Sequence, residues 1–472
     1  MNRTLACSVV GAAVVALDGT VLTVAQPALQ RDLHAEVGQV QWTSTGYLVA
    51  VASLLVLAGR LGDRYGHRRV FAVGALGFAA ASTGIALAPG IGTVIALRVL
   101  QGVCGALLQP ATLGMLRTAF PPERLATPIA VRTAAIGLAA ATGPVIGGAL
   151  VSSYGWRAVF LLGVPPTLAI GLLALTARDD RPAHAPERPA SRPTGLDPLG
   201  ALLLAAALGL LVHGLDQASR PGSGGTALLA CGAALAAGVA FARHERRVVD
   251  PLLPPALLRS VPVVAGLAVL LAASAALSGA LFVVTYFLQD VQGLDPLACA
   301  LRVLPLAVLM VPGALLCPPL QRRFGPRRTA TTGAALLALG VTLLSRLDET
   351  AGAAAVGGAS ALIGTGFVTL MVTATSVVVH RAPEAHAGVA GGLQQTVMNV
   401  GPALGVATAT LLLALVPDGG FVPARGAALP ALAAIAALAL PAALALPGRP
   451  DRGGTRPEPA PPGRRRQPCV RS

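Results

Sequence analysis

Asp18 sits within an apolar run, Leu17-Asp18-Gly19-Thr20-Val21. It lies about 13 residues into that run, or roughly 20 Å of helix at 1.5 Å per residue. An ionised carboxylate at such a depth in a membrane costs on the order of 3 kcal/mol on insertion scales. It must therefore face a cavity, meet a partner or carry a proton. A carboxyl whose surroundings alternate between dry and wet changes its hold on a proton, so Asp18 is a candidate proton carrier. The bland alternative is an Asp that packs helices through a bond to a neighbouring Thr or Gln. Arg98 opens a second run, Arg98-Val99-Leu100-Gln101-Gly102. An intramembrane Arg marks a water-lined path or a buried pair, but Arg98 also lies close enough to one end of its run to snorkel. Arg132 and Arg302 are read as nearer to snorkelling positions.

Two further segments combine residue types that could do mechanical work. Gly59-Arg60-Leu61-Gly62-Asp63-Arg64-Tyr65-Gly66-His67-Arg68-Arg69 is a short basic turn with one acid. Asp63 can pair locally, or face the N-terminus of a helix from another part of the molecule. A cluster of this kind latches one conformation and releases in another; otherwise it is a basic loop with an incidental acid. Gly143-Pro144-Val145-Ile146-Gly147-Gly148 lets a helix approach its neighbours closely at the glycines and bend at Pro144. That combination fits a hinge and a seal, or simply close packing. Candidate cavity residues are Gln26, Tyr47, Gln109, Tyr286, Gln394, Gln395 and Asn399, each able to bond a ligand or to bridge helices.

The elements that must position these groups are membrane helices. Of the 472 residues, 54% are hydrophobic and 12% charged, about half the charge of an ordinary soluble domain. Runs of about 20 apolar residues cross a bilayer, and fourteen candidate runs are present, from 5–26 to 427–447, with 198–216 and 226–242 the weakest. An N-terminal signal peptide is not expected, because the first run continues past Asp18 to Pro27 with no small-residue cleavage site. The chain has no Lys. If the N-terminus is inside, the inner segments hold 27 Arg and the outer segments five, with three inside the runs. This is the asymmetry that orients membrane proteins, and it turns a net charge of +15 from a hint of nucleic-acid binding into a topology signal. Both termini are then cytoplasmic, in the cytoplasmic membrane.

An internal repeat divides the chain. Leu61-Gly62-Asp63-Arg64-Tyr65-Gly66-His67-Arg68-Arg69 is echoed by Leu320-Gln321-Arg322-Arg323-Phe324-Gly325-Pro326-Arg327-Arg328, and Gly143-Pro144-Val145-Ile146-Gly147 by Gly401-Pro402-Ala403-Leu404-Gly405. The expected fold is all-α, with a six-helix half over 1–177 and a linker with two central helices over 178–260. A second six-helix half follows over 261–447, then a disordered basic tail over 448–472. Arg322 stands where the first copy has Asp63, and Pro318 where it has Gly59, so the second loop should lack the full latch. The six Cys form no metal spacing and read as small buried hydrophobes. There is no phosphate-binding Gly-rich loop ending in Lys, which argues against an ATP-driven pump.

The 59–69 loop resembles the signature loop of the major facilitator superfamily, with His67 departing from the family's usual basic residue. Fourteen runs, together with Leu17-Asp18-Gly19-Thr20-Val21, Gly155-Trp156-Arg157, Glu245-Arg246-Arg247 and Tyr286-Phe287-Leu288-Gln289, are similar to the 14-spanner drug:proton antiporters. The resemblance implies proton coupling through Asp18 and Arg98. It also implies a latch at Gly59, Asp63, Arg64, Gly66 and Arg68, and an antiporter hinge at Gly143, Pro144, Gly147 and Gly148. The implied activity is proton-coupled efflux of a small amphipathic or hydrophobic compound by alternating access. Partners are that substrate, protons and the bilayer; no nucleic acid, metal or cofactor is expected, nor enzyme activity, and a monomer suffices. Competing readings are a dedicated exporter of one endogenous metabolite or self-made antibiotic, a non-transporting membrane sensor with the same fold, and, more remotely, a membrane enzyme.

Overall fold

The computed structural model describes residues 3–121, 124–176, 197–218, 222–248, 251–294, 296–347, 351–383, 386–414 and 421–448. The tail 449–472 and the connection 177–196 lie outside the described residues, so the expected disordered tail does too. The helices are α1 (Arg3–Asp32), α2 (Val37–Tyr65), α3 (His67–Ala86), α4 (Ile91–Ala119), α5 (Ala126–Tyr154), α6 (Trp156–Leu162), α7 (Val164–Thr176), α8 (Pro198–Ala218), α9 (Gly224–Glu245), α10 (Pro255–Leu258), α11 (Val261–Tyr286), α12 (Pro296–Phe324), α13 (Pro326–Ser345), α14 (Ala353–Arg381), α15 (Ala387–Ala414) and α16 (Phe421–Leu444). A single π-helical turn, Phe287–Val291, continues α11.

Helices suit this composition because lipid offers no partner for backbone N–H and C=O groups. The hydroxyls that interrupt the apolar runs are satisfied locally: Ser53, Thr83, Ser274 and Thr365 each donate to the carbonyl one turn back. Among the described residues ten helical spans are long and apolar enough to cross a membrane. The arms Ala126–Ala140 and Val145–Tyr154 of α5, which meet at 46°, make an eleventh when taken together. Leu199–Leu215 and Ala428–Leu444 are apolar but shorter. α13 is long enough, but it opens on Arg327 and Arg328 and carries four threonines. By length and apolarity the described residues thus hold ten or eleven spans where the sequence reading expects fourteen.

Packing follows the sequence repeat. α1 lies on α5, α2 and α3 on α4, and α3 on α7. The same pairings recur as α11 on α15, α12 and α13 on α14, and α13 on α16. The two sets meet through a matched pair of contacts, α2 with α15 and α5 with α12. α8 and α9 pair with each other, and α8 also rests on α2 and α15. The turns at Gly66 and Gly325, equivalent positions of the repeat, take φ of 92° and 83°, a backbone region where a side chain is strained.

Candidate functional site

Asp18 is largely enclosed, its side chain 10% exposed. Its Oδ2 accepts from Arg98 Nη1 at 2.7 Å and its Oδ1 from Gln101 Nε2 at 3.2 Å. Arg98 is 1% exposed and Gln101 fully buried. Arg98 Nε donates to the Thr43 carbonyl at 2.9 Å, and the guanidinium lies 4.4 Å from the centre of the Tyr47 ring. Gln101 Nε2 also donates to Ser82 Oγ at 2.7 Å. Five helices thus supply one buried ion pair: α1 gives Asp18, α2 Thr43 and Tyr47, α3 Ser82 and α4 Arg98 and Gln101, while Phe160 of α6 flanks the guanidinium at 5.9 Å. Arg98 therefore does not snorkel. The Tyr47 hydroxyl is buried without a partner among the described residues.

The 59–69 turn reaches across to the other half. The Gly388 and Val389 N–H groups, at the start of α15, donate to Asp63 Oδ1 and Oδ2 at 2.7 and 3.1 Å. A carboxylate thereby caps the positive end of a 28-residue helix. Gly59 lies against the Gly388 backbone so closely that a Cβ on either would strike the other's carbonyl oxygen. His67 packs between the Gly62 and Gly114 backbones, with Nε2 3.3 Å from Asp63. Arg64 stacks 5.4 Å from the centre of the Tyr65 ring, and Arg68 lies in the first turn of α3. Arg60 donates to the Pro251 carbonyl beside the buried Leu252. Burial pushes the neighbouring His386 imidazole below its ordinary value, with Arg60 adding to the effect and Asp63 opposing it. In the second copy Arg322, which cannot accept an N–H, donates to Thr127 Oγ1 in the first turn of α5 at 3.4 Å.

In α5 the bend falls between Ala140 and Val145, the stretch that holds Pro144. Gly143 is pressed against Thr20 of α1, and a Cβ at Gly147 would lie 2.8 Å from Val21 Cγ1. Gly148 faces a looser contact with Val24, 3.9 Å away. On its other face α5 meets α12 at an apolar pocket of about 370 Å³ lined by Leu138, Val145, Leu304 and Val308 among others.

The polar candidates separate. Gln109 of α4 and Gln395 of α15 bond to each other across the two halves, and Asn399 donates to the Gln395 carbonyl at 2.8 Å. Gln394 turns inward instead, donating to Thr375 of α14 at 3.3 Å. Gln26 donates to Ser44 at 2.9 Å, tying α1 to α2. Tyr286 is 46% exposed and stands at the end of α11 beside Phe282; it is not brought to the others. Arg132 corrects the snorkelling expectation: it is 1% exposed, with Nε 3.1 Å from Thr112 Oγ1. Arg302 is held by Gln292 at 2.5 Å. At the ends of helices, the Trp156 indole and Arg157 bond to Asp32 and hold its carboxyl below the usual range.

Depth arithmetic could have paired Asp18 with Arg98. Asp18 is roughly 20 Å from the arginine-rich side of a core about 30 Å thick, and Arg98 is about seven residues, or roughly 10 Å, from the other side. Nothing in the sequence distinguishes Gln395 from Gln394, because the choice depends on the rotation of α15.

An all-helical bundle of two matched halves joined by α2–α15 and α5–α12 contacts defines a multi-pass membrane transporter architecture. Residues 9–406 match the Major Facilitator Superfamily model, and the chain belongs to that family. It is 41% identical over 415 residues to the tetracenomycin C resistance and export protein of Streptomyces glaucescens, spanning 87% of this chain and 76% of that one. It is 30% identical to the multidrug efflux pump LfrA of Mycolicibacterium smegmatis, over 87% of this chain and 80% of that one. The human organic anion transporter MFSD10 shares the fold, with a TM-score of 0.69 at 16% identity over 93% of this chain and 99% of that one.

Proposed function

We propose that the protein exports a small amphipathic or hydrophobic compound across the cytoplasmic membrane in exchange for protons. The arginine-rich side faces the cytoplasm and the fourteen helices form two six-helix halves, 1–177 and 261–447, around the central pair. Resistance and export relatives covering most of the chain support efflux, and the family supports a transporter rather than an enzyme. The observation that carries the coupling is the buried Asp18–Arg98–Gln101 cluster. A proton on Asp18 removes the charge that Arg98 neutralises. The pair then loosens, and with it the packing of α1 against α4. Since α1 is also pressed against the bent α5, a shift of α1 reaches the α5–α12 contact. Asp63 holds the cytoplasmic side closed in this state, and the Gln109–Gln395 bridge spans the halves where a cargo would pass.

A dedicated exporter of one compound is the second reading, favoured by the 41% identity to a protein named for one compound. The deciding experiment is transport in proteoliposomes under an imposed pH gradient, screened over drugs and metabolites. Substrate-dependent proton movement is expected, and its loss in Asp18→Asn while substrate still binds. Undiminished proton-driven export in that variant would remove Asp18 from the coupling role. Activity on one compound alone would decide for the dedicated exporter.

A further inference from the structure

Arg132 is the buried charge that the coupling scheme does not use. It lies six residues into α5, roughly 9 Å from the arginine-rich end, and is 1% exposed. Its one hydrogen bond among the described residues runs from Nε to Thr112 Oγ1, at 3.1 Å. Thr112 is itself fixed: its hydroxyl donates to the Gln109 carbonyl at 2.7 Å, and its own carbonyl accepts from Ser8 Oγ at 3.4 Å. Three helices therefore orient the Nε edge of the guanidinium. The two Nη groups have no acceptor among the described residues, and no described carboxylate pairs with Arg132. Arginine does not shed its charge as a buried lysine can, and an uncompensated charge taken out of water is strongly unfavourable. Asp18 is paired with Arg98 and Gln101 and makes no contact with Arg132 among the described residues. Asp18 is matched by Arg98, so among the described residues Arg132 stands without a paired carboxylate. One turn along α4, Gln109 makes the bridge to Gln395 that spans the two halves.

We infer that Arg132 binds an anionic oxygen of the exported compound, so that the substrate class is amphipathic organic acids, with a carboxylate or acidic hydroxyl seated on the free Nη fork. This rests on the export reading for its physiological meaning, though the binding chemistry stands apart from it. The planar fork matches a carboxylate in a two-point contact. The site lies near the arginine-rich end of α5, one turn along α4 from Gln109, so a cargo entering from that side reaches it as the halves part. Gln109 and Gln395, freed from each other by the same separation, can then bond the neutral polar groups of the cargo.

The test measures binding to the purified full-length protein of a panel of three-ring aromatic acids, anthraquinone-2-carboxylic acid among them, and their methyl esters. Wild type is expected to prefer acid over ester by about ten- to hundredfold, the range of charge-assisted bonds. Arg132→Gln should bring that ratio to about one while leaving ester binding in place, and Arg132→Lys should keep part of it. Thr112→Val, which frees the guanidinium without removing it, should lower the ratio by a smaller factor. Wild type that binds no acid of the panel, or binds acid and ester alike, overturns the inference, as does an Arg132→Gln protein that retains the preference. Chloride is the competing occupant. If chloride stabilises wild type but not Arg132→Gln while the acid-to-ester ratio is equal in both, Arg132 holds an inorganic ion and the inference fails. Acid-selective binding without coupled proton movement in proteoliposomes would sink the antiporter reading and leave the ligand class standing. Coupled export of esters as well as acids would do the reverse.

Discussion

Substituting Asp63 by Asn keeps the size of the side chain and removes its charge. In the structure both carboxylate oxygens accept N–H groups, from Gly388 at 2.7 Å and Val389 at 3.1 Å. An amide offers one acceptor, so its NH2 is turned against one donor. The loss combines a helix cap worth about 1 kcal/mol with a charge–dipole attraction of up to about 2 kcal/mol in partly buried settings. Taking about 2 kcal/mol for the sum, the ratio of closed to open on the arginine-rich side should fall by about thirtyfold. The contact joins α2 to α15, so the loss should fall on that conformational balance rather than on folding of either half. Spin labels near the arginine-rich ends of α2 and α15 would report it, as a second, longer distance appearing in the Asp63→Asn protein. The second copy provides the control: Arg322→Gln removes only an exposed 3.4 Å contact to Thr127 and should leave the distribution unchanged. If Asp63→Asn shifts the ratio by less than about threefold, the helix-capping account of the latch is wrong.

Gly147→Val places a branched side chain where a Cβ already lies 2.8 Å from Val21 Cγ1, forcing α1 and α5 apart at about 1–3 kcal/mol for an overpacked site. If these glycines seal as well as bend, vesicles should show proton leak without substrate; lost exchange with no leak would confine Gly147 to packing. His386 predicts a pH effect. Burial depresses its folded value, so its neutral form is favoured on folding. The contribution is full above the free histidine value of about 6.5 and is lost as pH falls from there towards the folded value. Melting temperature should therefore drop more steeply between about pH 6.5 and 5 in wild type than in His386→Asn; equal slopes would show that other groups set the acid sensitivity.

How much of this was legible in the sequence depends on what each feature requires. The class of fold and the repeat are written in composition and in constant offsets, because lipid leaves the chain few options and a duplicated unit keeps its glycines. Asp63 is readable as a cap because an acid among arginines at a glycine turn has few other employments, although its partner, 325 residues away, is not. Arg98 and Arg132 are both arginines near the ends of apolar runs, and only the depth of Asp18, level with Arg98, tells them apart on a linear reading. The structure separates them by what lies opposite: an aspartate for Arg98, and a threonine hydroxyl for Arg132. The count of fourteen is left unconfirmed by length and apolarity for a different reason. Arg327, Arg328 and the threonines make α13 too polar for a plain hydropathy measure, while it packs within the bundle beside α14 and α16. Gln394 and Gln395 differ only by the 100° that separates adjacent residues on a helix.

Gly59 and Gly388 meet backbone to backbone, so the contact between the halves at this point carries no side-chain vocabulary. Seven residues further along the same helix, Gln395 touches Gln109, where every substitution changes what can be bonded. One rigid rod therefore holds a part that tolerates no variation and a part open to it. On the proposed reading, a lineage can trade its cargo by editing residues two turns along α15 while the closing surface stays as it was. New specificity can then arise in a working machine without first redesigning how the machine shuts.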